Sequence, residues 1–274
     1  MDTKPIFTAI ALVLALGQGS SSAHAQNEAP LALALDRTES IRQVRDLQNR
    51  LAQYIETGDW DGAIGLFSAQ ATVELGMQTA AGHKAIRTAL VGHFGAGSAE
   101  RKGLRASLLM APVLTLSPDG MNAQGRWHEV GMFGGSSVSD NWTGGIYENT
   151  YIRENGTWRI AHLGYHAQFA GDYANGWKNL VPDLPVIPYH YQAETVGTPA
   201  YASAAPGAPV PPISAPMIAA RAQRLDDEEQ VRNLQYIYGY YRDRRMWPDV
   251  TDLFAPDSSF SSAEIGTYRG AEGI

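Results

Sequence analysis

The sequence predicts an α+β fold in which helices are followed by an antiparallel sheet. Apolar residues recur at helical spacing up to about residue 94, and from about residue 107 they alternate with a period of two. A helical passage also occurs twice, since residues 43–67 and 230–254 are identical at nine of 25 positions. Internal similarity of this kind identifies the building unit of a chain.

The first helix is predicted to begin near Asp36, which forms a capping-box pattern with Glu39. Gly58 is expected to end it, and Asp59 has the side chain of an N-cap for a second, short helix. The helical spacing is carried by the apolar residues Ile41, Val44, Leu47, Leu51, Tyr54 and Ile55. These positions define a face that must be buried against a sheet.

The strands follow in order along the first unit. Asn155-Gly156 is a strong signal for a hairpin turn between the last two strands, and Gly134–Trp142 reads as a glycine- and serine-rich loop. A third helix is predicted at Gly82–Phe94. The predicted strands are Ala71–Leu75, Ser107–Leu116, Met121–Phe133, Gly145–Arg153 and Thr157–Gln168.

Residues 1–25 have the pattern of a secretory signal peptide. Lys4 is the positive charge, 6–16 is an apolar run too short to span a bilayer, and Ala23-His24-Ala25 is a cleavage box. We therefore expect cleavage after Ala25, a periplasmic or secreted protein, and no stable insertion in the membrane afterwards.

Composition excludes several classes of partner and site. The net charge is −7 and no stretch is densely basic, so nucleic acid is not an expected partner. The chain has no cysteine, which excludes disulfides, thiolate metal sites and cysteine nucleophiles.

Residues 179–222 differ in composition from the units on either side. They contain nine prolines spaced by alanine, serine and glycine, which predicts a semi-extended linker. Its start, 184–191, can still pack against the first unit. The second copy of the helical passage follows, and the sequence ends twenty residues after it. We therefore expect 36–178 to be a whole domain and 223–274 to be the N-terminal part of a second, truncated one.

The first unit contains the motifs Asp59-Trp60-Asp61, Gly82-His83-Lys84-Ala85-Ile86, 145–151, 155–160 and Gly176-Trp177. Together these motifs resemble those of the SnoaL-like branch of the nuclear-transport-factor-2-like superfamily. The resemblance implies a cone-shaped fold with three helices packed in a curved antiparallel sheet and an apolar pocket at its open end. It does not fix an activity, because this fold hosts isomerases, dehydratases, cyclases and binding modules.

The resemblance also tests two kinds of chemistry. Steroid-isomerase-like relatives place a tyrosine and a base where this chain has Leu51 and Leu75, which cannot transfer protons, so that route is not expected in the first unit. Dehydratase-like relatives pair a carboxylate, here Glu56, with a histidine where this chain has Ser107. His128 on the neighbouring strand is the candidate substitute, and Tyr147 would polarise a substrate carbonyl.

In the second unit, Tyr238 and Asp243 stand at the corresponding helix positions. The sheet that would complete that pocket is not part of the sequence, so we do not expect a finished active site there.

Tyr147, Asn149 and Tyr151 alternate along one strand and must share a face. That face is either a pocket wall or an ordinary half-buried sheet surface. His162 and His166 are expected on one face with Trp158 and Ile160, without the ligand pattern of a metal site. The residues expected to contact a ligand are Tyr54, Leu75, Trp127, Asn149, Tyr151 and His162; we expect no metal and no cofactor.

Three functions remain open from the sequence. The leading one is a binding domain for a small, mostly apolar or aromatic molecule. The second is a cofactor-free dehydratase, isomerase or cyclase acting on a cyclic ketone or polyphenol, with Glu56, His128 and Tyr147 as catalytic residues. The third is a non-catalytic module that forms a homodimer through its sheet.

Overall fold

The computed structural model describes residues 21–95, 104–135, 138–175, 186–263 and 265–274. It divides into two units, Met1–Pro212 and Ile213–Ile274, and each is described by itself. Most of the predicted signal peptide, up to residue 20, lies outside the described residues.

Helix α1 is longer than the sequence pattern predicts, since it occupies Ser21–Thr57 without a break. The predicted start at Asp36 is therefore wrong. Residues 31–35 are alternating leucine and alanine, which favour helix, and the helix continues through them although it also contains Pro30. Asp36 makes a two-pronged ion pair with Arg153, at 2.9 and 3.1 Å, in place of a cap.

The end of α1 and the two short helices after it follow the prediction. Gly58 adopts a left-handed backbone with φ of 75°, which ends the helix. The Asp59 side chain accepts a hydrogen bond from the Gly62 amide at 2.9 Å and so caps α2, Trp60–Ile64. Helix α3 is His83–Phe94.

A six-stranded sheet wraps around these helices. Its order is β2–β1–β6–β5–β4–β3, with every neighbouring pair antiparallel except the parallel pair β1 and β6. The strands are β1 Phe67–Leu75, β2 Gln78–Ala81, β3 Leu104–Leu116, β4 Asn122–Gly135, β5 Val138–Glu154 and β6 Thr157–Asp172. The predicted α+β fold is thus confirmed; β2 was not predicted, and β5 includes part of the expected loop.

The hairpin turn between β5 and β6 is confirmed by its backbone. Asn155 and Gly156 have φ of 50° and 78°, which is the combination that a tight hairpin with matched strand twist requires. The turn fixes the register of the two longest strands from Glu154↔Thr157 onwards.

Register shifts interrupt the sheet, and three of them lie in the β3–β4 and β5–β6 pairs. The pairing register shifts between Met110 and Val113 in β3, between Thr150 and Tyr151 opposite β6, and again between Gly144 and Gly145. The second shift leaves Ala161 as an extra residue in β6, since Ile160 pairs with Tyr151 and His162 with Thr150. A bulge reverses the face to which each later side chain points, and it increases the local twist.

The first unit has a single connected core inside the curved sheet. Its largest fully buried apolar side chains come from α1, α3 and the concave faces of β1, β4, β5 and β6. They include Leu47, Leu51, Ile86, Leu90, Trp127, Tyr151, Ile160 and Leu163. Burial of these groups is the main stabilisation of the fold.

Residues 186–205, within the stretch predicted as a linker, lie on the first unit; we call them the strap. Arg37, which is 1 % exposed, donates to the carbonyls of Ala200, Ser117 and Pro118 at 2.7, 3.0 and 3.2 Å, and to Ser203 Oγ at 2.8 Å. The Ala205 amide donates to the Pro118 carbonyl at 3.1 Å. These bonds hold the strap, whereas the sequence predicted contact only for its start.

The second unit begins with α4, Ala215–Asp243, which starts inside the predicted linker. It continues with α5 Trp247–Asp252, the hairpin of β7 Ser259–Ser262 and β8 Gly266–Arg269, and α6 Gly270–Gly273. Val231 and Leu234 of α4 are 69 % and 46 % exposed, whereas their counterparts Val44 and Leu47 in α1 are at 0 % and 1 %. Among the described residues, no helix has the length and apolar character needed to cross a bilayer.

Candidate functional site

The concave face of the sheet carries two buried polar clusters. The alternation of β4 and β5 places Trp127 and Glu129, and then Tyr147, Asn149 and Tyr151, towards the helices. These five side chains lie in a mostly apolar interior, where polar groups are retained only with hydrogen-bond partners.

Glu129 is the centre of the first cluster. Although it is a carboxylic acid, it is only 5 % exposed. Ser107 Oγ donates to its Oε1 at 2.6 Å, and the Tyr165 hydroxyl donates to its Oε2 at 2.8 Å. Tyr147 lies beside them, with its ring 4.7 Å from the ring of Tyr165. Side chains from β3, β5 and β6 therefore surround the Glu129 carboxylate of β4.

Gly145 makes room for this arrangement. A Cβ at that position would come within 2.5–2.6 Å of the ring and hydroxyl of Tyr165, which is closer than real Cβ atoms approach. Tyr165 therefore lies directly on the backbone of β5, and its hydroxyl reaches across that strand to Glu129 on β4. The glycine is a requirement of the site, not of the strand.

The second cluster is built on Gln48 of α1, which is 1 % exposed. Its Oε1 accepts from Asn149 Nδ2 at 2.9 Å and from the Tyr151 hydroxyl at 3.0 Å. Trp127 Nε1 donates to the Tyr151 oxygen at 3.3 Å, and Asn149 Oδ1 accepts from the Gly164 amide at 3.2 Å. This network joins α1 to three strands and fixes the helix over the sheet.

All three tyrosines of these clusters are held in the neutral form. Burial raises the pKa of Tyr147 well above its ordinary value, with Glu129 adding to the effect. Burial likewise raises the pKa of Tyr151, and burial together with Glu129 raises the pKa of Tyr165. At neutral pH they are hydrogen-bond donors, not nucleophiles.

His93 and Arg105 lie at the edge of the Glu129 cluster. The His93 ring meets the Tyr165 ring edge to face at 5.6 Å. Burial, and then the charge of Arg105, lower the pKa of His93, so that it is neutral at pH 7. The Arg105 guanidinium lies over the rings of Phe94 and Phe133 and donates to the Phe94 carbonyl.

An open groove of about 950 Å³ runs between α1 and β3. Ser107 lines it and also donates to Glu129, so that this serine connects the groove with the buried carboxylate. The α1 side is mostly polar and the β3 side mostly apolar. The lining residues are Gln43, Asp46, Asn49, Arg50, Ala52, Gln53 and Glu56 from α1, and Ser107, Leu108, Leu109 and Met110 from β3.

The structure brings together most of the residues predicted to contact a ligand. Tyr147, Asn149 and Tyr151 share the concave face as expected, and Trp127 and Leu75 are buried there with them. Tyr54 is half-buried and packs against the same core.

The three other predicted residues lie elsewhere. His128 is exposed, on the face of β4 opposite to Trp127 and Glu129. Glu56 is exposed and lines the groove, whose lining does not include His128. The structure thus does not bring the proposed acid–base pair together, because a strand directs alternate side chains to opposite faces.

His162 is separated from the cluster by the bulge at Ala161. Trp158 and Ile160 precede the bulge and are buried, whereas His162 and His166 follow it and point to the convex face. The expectation that these four residues share a face is therefore wrong. His162 Nδ1 lies 2.8 Å from Thr72 Oγ1. Burial lowers the pKa of His162, with smaller effects from Glu74 and His166.

Sequence reasoning missed Gln48, Glu129 and Tyr165 as site residues. A signal existed for Gln48, since it recurs as Gln235 in the second copy of the helical passage although it is polar. Glu129 and Tyr165 are 36 residues apart and meet only across β5, which no local pattern indicates. Within the described parts of the chain, no group of three or more histidines and carboxylates is placed to hold a metal ion.

A model of the SnoaL-like domain matches residues 36–164 and 223–274. No match was found among curated proteins.

Several solved structures are similar to this chain, with low sequence identity. They include ActVI-ORFA of Streptomyces coelicolor, at 14 % identity over 46 % of this chain and 95 % of that one, with a TM-score of 0.40. An NTF2-like protein of Pseudomonas putida is 16 % identical over 55 % and 98 %, with a TM-score of 0.40. A type 2 hexachlorocyclohexane dehydrochlorinase, LinA, is 14 % identical over 56 % and 97 %, with a TM-score of 0.43.

Proposed function

The chain belongs to the SnoaL-like domain family, and from that premise we propose that its first domain binds a small, mostly apolar molecule. The molecule enters between α1 and β3 and places one polar group next to the Glu129 cluster. The observation that carries the proposal is the buried Glu129 carboxylate, which accepts from Ser107 and Tyr165 beside a groove that Ser107 itself lines.

The chemistry of the groove defines the ligand class. Leu109 of β3, which pairs with Glu129, offers apolar surface for the body of the molecule, and pockets of this kind are mostly apolar with few polar groups. Glu129 is acceptor-only as a carboxylate, and the neutral hydroxyls of Tyr147 and Tyr165 are donors. A ligand with a hydroxyl or a ring carbonyl would satisfy these groups.

A second candidate function is acid–base catalysis, because Glu129 is a buried carboxylate between two phenols. In a desolvated site such a group can accept a proton next to a carbonyl, while a tyrosine hydroxyl stabilises the oxygen that becomes negative. The reaction class is a dehydration or isomerisation of a cyclic ketone or polyphenol. Glu129 here replaces the Glu56–His128 pair expected from the family resemblance.

The test of binding uses the purified full-length protein. Native mass spectrometry would identify a co-purified organic molecule, and calorimetry with that molecule would give its affinity. Tyr165→Phe removes the donor to Glu129 Oε2, and we expect it to weaken binding about tenfold, equivalent to about 1.4 kcal/mol. Retention of full affinity in Tyr165→Phe, with an unchanged fold, would contradict the proposal.

Two neighbouring substitutions separate binding from catalysis. Glu129→Gln keeps the shape of the side chain but cannot accept a proton in the same way, so turnover of the identified molecule should fall at least 100-fold. His128→Gln alters the adjacent, outward-facing residue of the same strand. If His128→Gln abolishes turnover and Glu129→Gln does not, the pair expected from the sequence is correct and the Glu129 assignment fails.

Export and dimerisation are two further proposals. Export rests on the pattern of residues 1–25, and its test is N-terminal sequencing of the extracytoplasmic protein, which should begin at Gln26. Dimerisation through the sheet is supported by the exposed apolar residues Leu108 and Met110 of β3 and Met132 of β4. Light scattering should give twice the monomer mass, and Leu108→Glu should reduce it to that of a monomer.

A further inference from the structure

The convex face of the sheet carries a second, separate pocket. Its volume is about 380 Å³, and it lies between the sheet and the strap. It is lined by Thr115 of β3 and by Tyr189, His190, Tyr191, Gln192 and Thr195. The Ser107–Glu129 cluster described above is on the concave face, so the two sites lie on opposite sides of the sheet.

His190 is fixed in this pocket by an ion-paired carboxylate. Its side chain is 5 % exposed, and its Nδ1 lies 2.9 Å from Glu148 Oε2. Glu148 is also paired with Arg126 of the neighbouring strand, which is 6 % exposed. The Arg126 guanidinium donates to the Pro188 carbonyl at 3.3 Å and lies 4.8 Å from the centre of the Tyr189 ring. Glu148 thus holds the imidazole, and Arg126 holds the strap residues Pro188 and Tyr189 beside it.

This pairing determines the proton position on the imidazole. An ionised carboxylate can only accept, so Nδ1 is the donor to Glu148. In the neutral ring the proton is then on Nδ1, and Nε2 offers a lone pair. Nε2 is buried and has no hydrogen-bond partner among the described residues. A buried acceptor without a partner is unfavourable, and a hydroxyl group of a bound molecule would satisfy it.

The pocket that His190 lines has an aromatic wall. The rings of Tyr189 and Tyr191 are stacked, with centres 5.5 Å apart and planes at 28°. The His190 ring meets Tyr191 edge to face at 5.0 Å. Rings of this kind favour an aromatic ligand through offset stacking or edge contacts.

We propose that this pocket is a second ligand site, which binds a small aromatic molecule bearing a hydroxyl group. The hydroxyl donates to His190 Nε2, and the ring packs against Tyr189 and Tyr191. Glu148 is a positioning residue, since it fixes the tautomer but does not contact the ligand. The site is independent of any ligand in the cone.

The experiment is an NMR titration of the full-length protein with 4-fluorophenol. The His190 imidazole is assigned by through-bond correlation with its backbone and distinguished from the other six histidines of the chain. At a pH at which the imidazole is neutral, its nitrogen shifts before addition should report the proton on Nδ1 and the lone pair on Nε2. On addition, the Nε2 resonance should move and saturate, whereas fluorobenzene, which has no hydroxyl, should bind at least about tenfold more weakly.

Two histidine variants complete the test. His190→Phe keeps a ring but removes the acceptor, and it should weaken 4-fluorophenol binding at least about tenfold. His166→Phe alters another histidine on the convex face and should leave that affinity unchanged. If His190→Phe does not fold, as judged by circular dichroism, the wild-type titration decides. An unshifted His190 imidazole at saturating phenol, or an equal response to fluorobenzene, overturns the proposal.

Discussion

The hydroxyl of Tyr165 on β6 donates to Glu129 Oε2 on β4 over a distance of 2.8 Å, although β5 lies between the two strands. The bond is possible because Gly145 of β5 has no side chain at the crossing point. Glu129, Tyr165 and Gly145 therefore depend on one another, and replacement of any one of them would disturb the site.

Replacement of Gly145 by alanine tests this interdependence. The new methyl group would overlap the Tyr165 ring, so we expect a loss of about 1–3 kcal/mol in the free energy of unfolding. Gly92→Ala is the matched control, because Gly92 is helical and a Cβ there meets nothing within 4 Å. It should stabilise the protein by about 0.5–1 kcal/mol. Urea denaturation measures both, and equal effects would contradict the account of Gly145.

Replacement of Gln48 by leucine tests the second cluster. The substitution removes the oxygen that accepts from both Asn149 and Tyr151. Because these two buried donors lose an acceptor, the free energy of unfolding should fall by about 1–3 kcal/mol. Gln53→Leu on the same helix alters an exposed glutamine and should change stability by less than about 0.5 kcal/mol. Thermal and urea unfolding provide the measurement, and a neutral Gln48→Leu would show that the network does not contribute to stability.

Alkaline titration should separate three tyrosines from the rest. The pKa of Tyr147, Tyr151 and Tyr165 is raised in the folded state, while unfolded tyrosine ionises near pH 10. Above pH 10 the unfolded chain therefore binds fewer protons than the folded one, and stability falls as the pH rises. Ultraviolet titration of the 13 tyrosines should leave these three un-ionised until the protein unfolds. Reversible ionisation of all 13 in the folded protein would refute this.

The sequence predicted which residues of β5 share a face, but it did not predict the Glu129 cluster next to that face. Tyr147, Asn149 and Tyr151 share that face because β5 itself has no extra residue between them; the register shift at Thr150 and Tyr151 has its extra residue in β6. The same reasoning failed in β6, where the extra residue Ala161 turns His162 away from Trp158 and Ile160. Bulges arise from pairing with neighbouring strands, so a pattern within one strand does not reveal them.

Helix starts and long-range contacts were unpredictable for a similar reason. The capping-box pattern at Asp36 was overridden by the helix-forming residues before it and by the ion pair of Asp36 with Arg153. Arg37, next to it, had no visible role in the sequence, since four of its acceptors are backbone carbonyls at positions that only the fold brings close.

Replacement of Arg37 by methionine should release the strap. The buried carbonyl of Leu116 and the partly buried carbonyls of Ser117 and Ala200 would lose a charged donor, which we expect to cost about 2 kcal/mol. Hydrogen exchange at the Ala205 amide, which donates to Pro118, should become faster. Arg50→Met, on the exposed side of α1, is the control and should leave that exchange rate unchanged. Unchanged protection in Arg37→Met would show that Arg37 does not hold the strap.

The two anchors of the strap have a consequence for proteolytic nicking. His190 and Arg126 hold one side of the exposed stretch 192–199, and Arg37 holds Ala200 and Ser203 on the other side. A single cut within this stretch would break the chain but leave both new ends bound to the same unit. The nicked protein would migrate as one particle on a native gel and as two fragments only after denaturation.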